Sequence, residues 1–311
     1  MSQSSNSQSP RRFRFTKMHG IANDYVYVDL FAESLDGIDR PALAREVSDR
    51  YRGIGSDGLI LITPPSPGVS ADVRMEMYNA DGSRGEMCGN GIRCVAKYAV
   101  ETLGRGEKSP GEGASNAERT RLSVETDRGV LALEALGAGG VMDRVRVNMG
   151  RPILTPAEIP VRSGGDARRC VKAPLEAGGV KMNMTCVSMG NPHAVAFVED
   201  VAAFELTRIG PIVERHLMFP NRVNFHVVQI HARGEATMRT WERGSGITQA
   251  CGTGACAVLV AGALEGRLDR RALLHLPGGD LTIEWEGGQD DGTVFMTGPA
   301  EVCFTGEYVV R

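Results

Sequence analysis

Short runs rich in apolar and β-branched residues recur along the whole chain and predict a molecule built mainly of strands. In the first half they cover residues 13–16, 25–30, 59–63, 73–78, 122–126, 130–135 and 145–149. The second half repeats the style at 182–188, 194–198, 224–231, 236–241, 272–276, 281–285 and 293–296. Alternation and β-branching mark half-buried strands, and the Gly-rich stretches between most of these runs supply turns. Two segments break the pattern. Residues 255–264 carry no charge or amide side chain, so a helix there has no wet face and must be enclosed on all sides. Residues 92–102 are apolar except for Arg93, Lys97 and Glu101, whose four-residue spacing leaves one narrow polar stripe with buried stems and solvated heads. The expectation is an α+β fold in which two curled, mostly antiparallel, barrel-like sheets each wrap one buried helix. Stretches 63–70, 104–120 and 163–179 read as surface loops or insertions.

Each of the two buried helices is introduced by nearly the same phrase. Cys88-Gly89-Asn90-Gly91 precedes the first and Cys251-Gly252-Thr253-Gly254 the second, 163 residues apart. With that spacing held, Tyr78 falls on Trp241, Asn79 on Glu242 and Val95 on Val258. A second pair of segments is also alike: Asn23, ahead of an apolar run, matches Asn191 at a spacing of 168. A repeat this long indicates two tandem domains of similar fold, each with one cysteine at a helix start. The Gly and Pro of Met149-Gly150-Arg151-Pro152 mark the connector. The expected division is a disordered Ser/Gln/Asn-rich tail at 1–12, a first domain at 13–149 and a second at 150–298.

Composition narrows the classes of function. A chain of 311 residues with 42% hydrophobic and 23% charged residues is ordinary for a globular protein with two cores. The net charge of −3 leaves no basic footprint for nucleic acid, and no apolar run approaches the ~18 residues of a membrane span. The tail lacks the apolar centre of a signal peptide, which points to the cytoplasm. Seven cysteines with no C-x-x-C pair argue against a disulfide framework and against a structural zinc site.

A thiol at a helix start feels unpaired backbone amides and the positive end of the helix dipole, which lowers its pKa and favours thiolate. Two such thiols facing one ligand make a matched acid and base. Cys94, Cys170, Cys186, Cys256 and Cys303 read instead as small core fillers. Taken alone, Asn79-Ala80-Asp81-Gly82-Ser83 is turn chemistry and Glu242-Arg243 a solvated ion pair.

These motifs together resemble the diaminopimelate epimerase family. The resemblance rests on Asn79-Ala80-Asp81-Gly82-Ser83, Cys88 to Cys94, Gly190-Asn191-Pro192-His193, Glu242-Arg243-Gly244 and Ala250 to Cys256, in that order, and covers the chain from Phe13 onward. It implies a pyridoxal-independent, metal-free epimerase, with no cofactor, that interconverts LL- and meso-2,6-diaminopimelate for lysine and peptidoglycan synthesis. It also implies a last strand, about 299–311, that returns to the first domain, and a homodimer. Cys88 and Cys251 match the catalytic pair, drawn as donor and acceptor in the LL-to-meso direction. His193 and Glu242 match positions thought to bias the thiols. Asn23, Asn79, Asn191, Asn224, Glu242 and Arg243 match substrate-binding positions. Backbone amides at Gly89, Asn90, Gly252 and Thr253 are suited to a carboxylate between two helix starts.

The sequence departs from the family pattern at Ala22, where Gly is common, at Gly58, which is Gln in some members, and at Ile247, which replaces a frequent acidic residue. Three other readings compete. The related cysteine-pair racemases of proline or hydroxyproline share the duplicated architecture, but Asn224 and Glu242-Arg243 suit a charged substrate end better than a proline ring. Redox or peroxide chemistry lacks a resolving cysteine at the usual spacing. A noncatalytic anion-binding module would tolerate Cys-to-Ser changes.

Overall fold

In the computed structural model, residues 11–85, 87–110, 117–164, 168–288 and 291–311 are described. The tail expected at 1–12 lies almost wholly outside them, as do parts of the segments expected as insertions at 104–120 and 163–179.

The first half of the chain forms β1 (Arg12–Gly20), β2 (Asn23–Asp29), α1 (Arg40–Ser48), β3 (Gly58–Thr63), β4 (Val73–Asn79), β5 (Arg84–Gly85) and α2 (Gly89–Glu101). Then follow β6 (Glu107–Pro110), β7 (Ala117–Thr126), β8 (Gly129–Ala138) and β9 (Val141–Gly150). The second half forms β10 (Cys170–Ala177), β11 (Val180–Ser188), β12 (Pro192–Phe197), α3 (Leu206–Glu214), β13 (Asn224–Ala232), β14 (Glu235–Glu242), β15 (Gly246–Thr248) and α4 (Gly252–Leu264). It ends with β16 (Arg271–Leu276), β17 (Gly279–Glu286), β18 (Thr293–Pro299) and β19 (Glu301–Val309).

Pairing shows the same architecture twice. In the first half the strands run in the order β19, β1, β2, β3, β4, β7, β8, β9. In the second they run β10, β11, β12, β13, β14, β16, β17, β18. Each order has two parallel joins, bridged by α1 and α2 in one half and by α3 and α4 in the other; the remaining joins are antiparallel. Antiparallel pairing of β9 with β18 connects the two sheets edge to edge, and among the described residues neither sheet closes. The place that β10 takes before β11 is filled in the first half by β19, the last strand of the chain, which pairs with β1 from Arg12↔Val309 to His19↔Glu301.

Every strand read from the apolar pattern is present, and four helices rather than two occur among the described residues. Helix α1 has local causes: the Asp39 carboxylate accepts from the Ala42 amide at 3.0 Å, and Pro41 sits in the first turn. Segment 104–120 is no plain loop, since it holds β6 and the start of β7, and 163–179 likewise holds β10.

The two cysteine-led helices share one core. Ile92, Val95, Ala96 and Ala99 of α2 and Ala255, Val258, Leu259 and Val260 of α4 are all fully buried in it. The polar stripe of α2 is a correction. Arg93 is fully buried, its guanidinium donating to the carbonyls of Pro299 at 3.0 Å and Gly89 at 3.1 Å, and Lys97 donates to Met142 O at 2.6 Å and to Glu101. β1, β9 and β18 wrap the stripe, so backbone carbonyls take the place of water.

Candidate active site

Both cysteines stand at the N-cap of their helix in extended conformation, Cys88 at φ −127° and Cys251 at φ −133°. The helix starts abut. A methyl group placed on Gly252 would lie 3.9 Å from the Cα of Gly89, and methyls on Gly89 and Gly252 would each come within 2.9 Å of the Met296 side chain beneath them. Close approach of this kind needs a residue without Cβ. All seven cysteines are free thiols, so Cys88 and Cys251 are not joined.

Cys88 is half-buried and its sulfur has three kinds of neighbour. Sγ donates to Asn23 Oδ1 at 3.3 Å, accepts from the Gly91 amide at 3.5 Å, and is hydrogen-bonded by Tyr25. Burial raises the Cys88 pKa, while the amides of Gly91 and Asn90, Tyr25 and the Arg93 charge pull it down. Cys251 is buried and lies 3.8 Å from Thr253 Oγ1. Burial, then the Glu242 charge, pushes Cys251 well above the usual thiol range, against the Gly254 amide and Thr253. The helix starts therefore act in the expected direction on both thiols, but desolvation outweighs them. Glu242 is itself raised by burial, with Thr248 Oγ1 donating to its Oε1 at 2.5 Å.

The structure gathers most of the residues singled out from the sequence. Asn23, Asn90, Asn191, His193, Glu242 and Thr253 are linked to one or other thiol directly or through one or two intervening side chains. Asn90 is buried, its Nδ2 donates to Asn23 Oδ1 at 3.3 Å, and its Oδ1 has no partner among the described residues. Asn79, at the end of β4, and Asn224, at the start of β13, have their amides already engaged. Asn79 Nδ2 donates to Ser83 Oγ at 2.9 Å within its turn. Asn224 Nδ2 donates to Pro192 O, and its Oδ1 accepts from the Arg243 amide, both at 2.9 Å. Arg243 is exposed and its guanidinium bonds Asn221 O at 3.0 Å rather than Glu242.

Two participants were missed. His226 is fully buried beside Gly254, and a methyl on that glycine would lie 2.4 Å from its Cε1 and 3.0 Å from Cys251 Sγ. Within an apolar run it read as one more strand position. Tyr25, likewise inside an apolar run, gave no signal of its contact with Cys88.

Comparison with known proteins follows the same lines. A sequence profile described as diaminopimelate epimerase matches residues 15–155 and 185–303. The diaminopimelate epimerase of Agathobacter rectalis is 51% identical over 299 residues, covering 94% of this chain and 98% of its own. That of Acetivibrio thermocellus is 48% identical over 294 residues, covering 94% and 98%. Among solved structures, a hydroxyproline epimerase from Agrobacterium vitis superposes with a TM-score of 0.65 at 15% identity, covering 97% of this chain and 92% of its own, which speaks for the fold alone. The chain belongs to the diaminopimelate epimerase family.

Proposed function

We propose that the protein interconverts LL- and meso-2,6-diaminopimelate without pyridoxal or metal, using Cys88 and Cys251 as the acid and base. The observation that carries this reading is the abutment of two cysteine-led helix starts, with Gly89 and Gly252 in near contact above Met296.

Removal of an α-proton from a free amino acid leaves a carbanion with no imine to spread the charge. Stabilisation then has to come from fixed donors aimed at the α-carboxylate. Backbone amides at Gly89, Asn90, Gly252 and Thr253 are suited to this, because two helix starts add their dipoles at one point. Inversion requires a thiolate on one face and a thiol on the other, with the roles exchanged for the reverse reaction. The free Oδ1 of Asn90 is an acceptor for a substrate ammonium. Glu242, Arg243, Asn79, Asn191 and Asn224 complete the binding set in this reading, His193 and Glu242 biasing the thiols. Division of the chain into domains at Met149, with β19 returning to the first, belongs to the same proposal, as do a homodimeric state and the cytoplasm. No described helix is long and apolar enough to cross a membrane.

The test is exchange of the α-hydrogen in deuterium oxide by reduced protein, with LL-diaminopimelate and separately with L-proline, followed by chiral analysis. Deuterium in diaminopimelate together with the meso isomer is expected. Exchange with proline alone would transfer the protein to the racemases, and no exchange with either would overturn the enzyme reading.

A further inference from the structure

The two halves meet their cysteines with asparagines turned in opposite directions. Asn23 and Asn191 are equivalent, one before β2 and one before β12. Asn23 gives Nδ2 to Asp57 Oδ2 at 2.7 Å, which leaves Oδ1 to accept from Cys88 Sγ and from Asn90 Nδ2, each at 3.3 Å. Asn191 is reversed: Oδ1 lies 3.0 Å from His193 Nε2, and Nδ2 donates to Thr253 Oγ1 at 3.4 Å.

Behind His193 the chain of contacts continues. His193 Nδ1 is 2.9 Å from His226 Nε2, and His226 Nδ1 is 2.9 Å from Thr240 Oγ1. Both rings are fully buried. Burial holds His226 down to about 3, and burial, the nearness of His226 and the Arg243 charge hold His193 well below its ordinary value. A neutral imidazole has one donor and one acceptor. With His193 Nε2–H donating to Asn191 Oδ1, the other protons follow. His193 Nδ1 accepts from His226 Nε2–H, and His226 Nδ1 accepts from the Thr240 hydroxyl. Every bond then points toward Thr253, and each polarises the next. Thr253 Oγ1 accepts from Asn191, so its own proton is free for Cys251 Sγ at 3.8 Å.

Among the described residues the first half has no such chain. Ile60 stands where His226 does, its Cδ1 2.7 Å from a methyl placed on Gly91, and Tyr25 stands where His193 does.

We propose that Asp57 in one half and the His226–His193 pair in the other are positioning residues that hold Asn23 and Asn191 in opposite amide orientations, so that the asparagine branch offers Cys88 an acceptor and, through Thr253, offers Cys251 a donor. The arrangement makes Cys88 the proton-bearing partner and supports Cys251 as thiolate against the opposing push of burial and Glu242. It rests on the acid–base reading of the two thiols.

The experiment joins histidine nitrogen NMR to kinetics. In the wild-type protein both His193 and His226 are expected as neutral Nε2–H tautomers, a readout that needs no substrate. Either ring as Nδ1–H, or as imidazolium at neutral pH, would overturn the polarity. His226→Ile copies the first half and is expected to lower kcat about tenfold, the scale of a hydrogen bond lost from a charged sulfur, with KM within about twofold. His226→Gln can accept from Thr240 and donate to His193, and is expected to restore most of kcat. Full kcat in His226→Ile, or no rescue by His226→Gln, would sink the proposal. If His226→Ile does not fold, Thr240→Val serves instead: a mixed His226 tautomer with reduced kcat supports the chain, and an unchanged tautomer and kcat overturn it. A wild-type protein with the expected tautomers and no epimerisation of diaminopimelate would count against the function and leave the polarity standing.

Discussion

Gly89 and Gly252 start the two central helices almost in contact, and the side chain of Met296 fills the space beneath both. Met296 is fully buried, so it has little room to withdraw. Gly252→Ala would bring a methyl within 2.9 Å of the Met296 sulfur. The expected loss of stability is about 1–3 kcal/mol, as for other overpacked cores, with a larger loss of turnover because the helix starts separate. Thermal unfolding and α-hydrogen exchange measured side by side would decide; an unchanged rate would mean that the contact is dispensable.

Cys88→Ala and Cys251→Ala are each expected to abolish epimerisation while leaving circular dichroism and the unfolding transition close to wild type. Loss of folding in both would assign the cysteines a structural role. Retention of activity in either would remove the two-base reading.

Ala22 lies in the left-handed region at φ +63°, next to Ile21 at φ +50°. Its equivalent before Asn191 is Gly190, at φ +95°. A side chain in this conformation costs about 1–2 kcal/mol, of which glycine's greater chain entropy returns part. Ala22→Gly is therefore expected to raise stability by up to about 1 kcal/mol, read as a higher denaturation midpoint at constant slope. A lower midpoint would show that Ala22 packs usefully.

Acid should weaken the second half through its buried histidines. A histidine whose folded pKa lies below its unfolded value contributes stability that is present above about pH 6.5 and is lost as pH falls below it, because the unfolded chain takes up the proton first. The window closes only at the folded value, about 3 for His226. Each of His193 and His226 should contribute a slope of about 1.4 kcal/mol per pH unit below pH 6. Denaturant midpoints measured against pH in wild type and His226→Ile check this, and equal slopes in the two proteins would refute it.

Alkaline pH should favour turnover. Burial raises both thiols, so the thiolate that starts the reaction becomes more abundant as pH rises past the ordinary thiol range of about 8.5. kcat/KM for LL-diaminopimelate is expected still to climb at pH 8.5; a plateau reached below pH 7 would show that the helix starts outweigh burial after all.

Much of the fold was legible because strand periodicity is local. All fourteen apolar runs read from the sequence are strands. α1 was missed although Asp39 and Pro41 announced it, and α3 was hidden by Pro211 in its interior. β19 is exposed at most positions, so its pattern carries no alternation of burial; only the resemblance placed it. The α2 stripe misled in a specific way. A four-residue polar spacing describes a helix face, but it does not say whether water or backbone carbonyls meet it.

The sequence by itself determined the repeated unit, the two cysteines at helix starts and the family, since each depends on neighbours along the chain or on matched motifs. Tertiary structure alone decided that Arg93 is buried, that desolvation rather than the helix start dominates both thiols, and that Asn23 and Asn191 point in opposite directions. These follow from dielectric and from hydrogen-bond partners brought together from separate strands. His193, His226 and Thr240 stand on β12, β13 and β14, and only the pairing of those strands makes them one chain of donors.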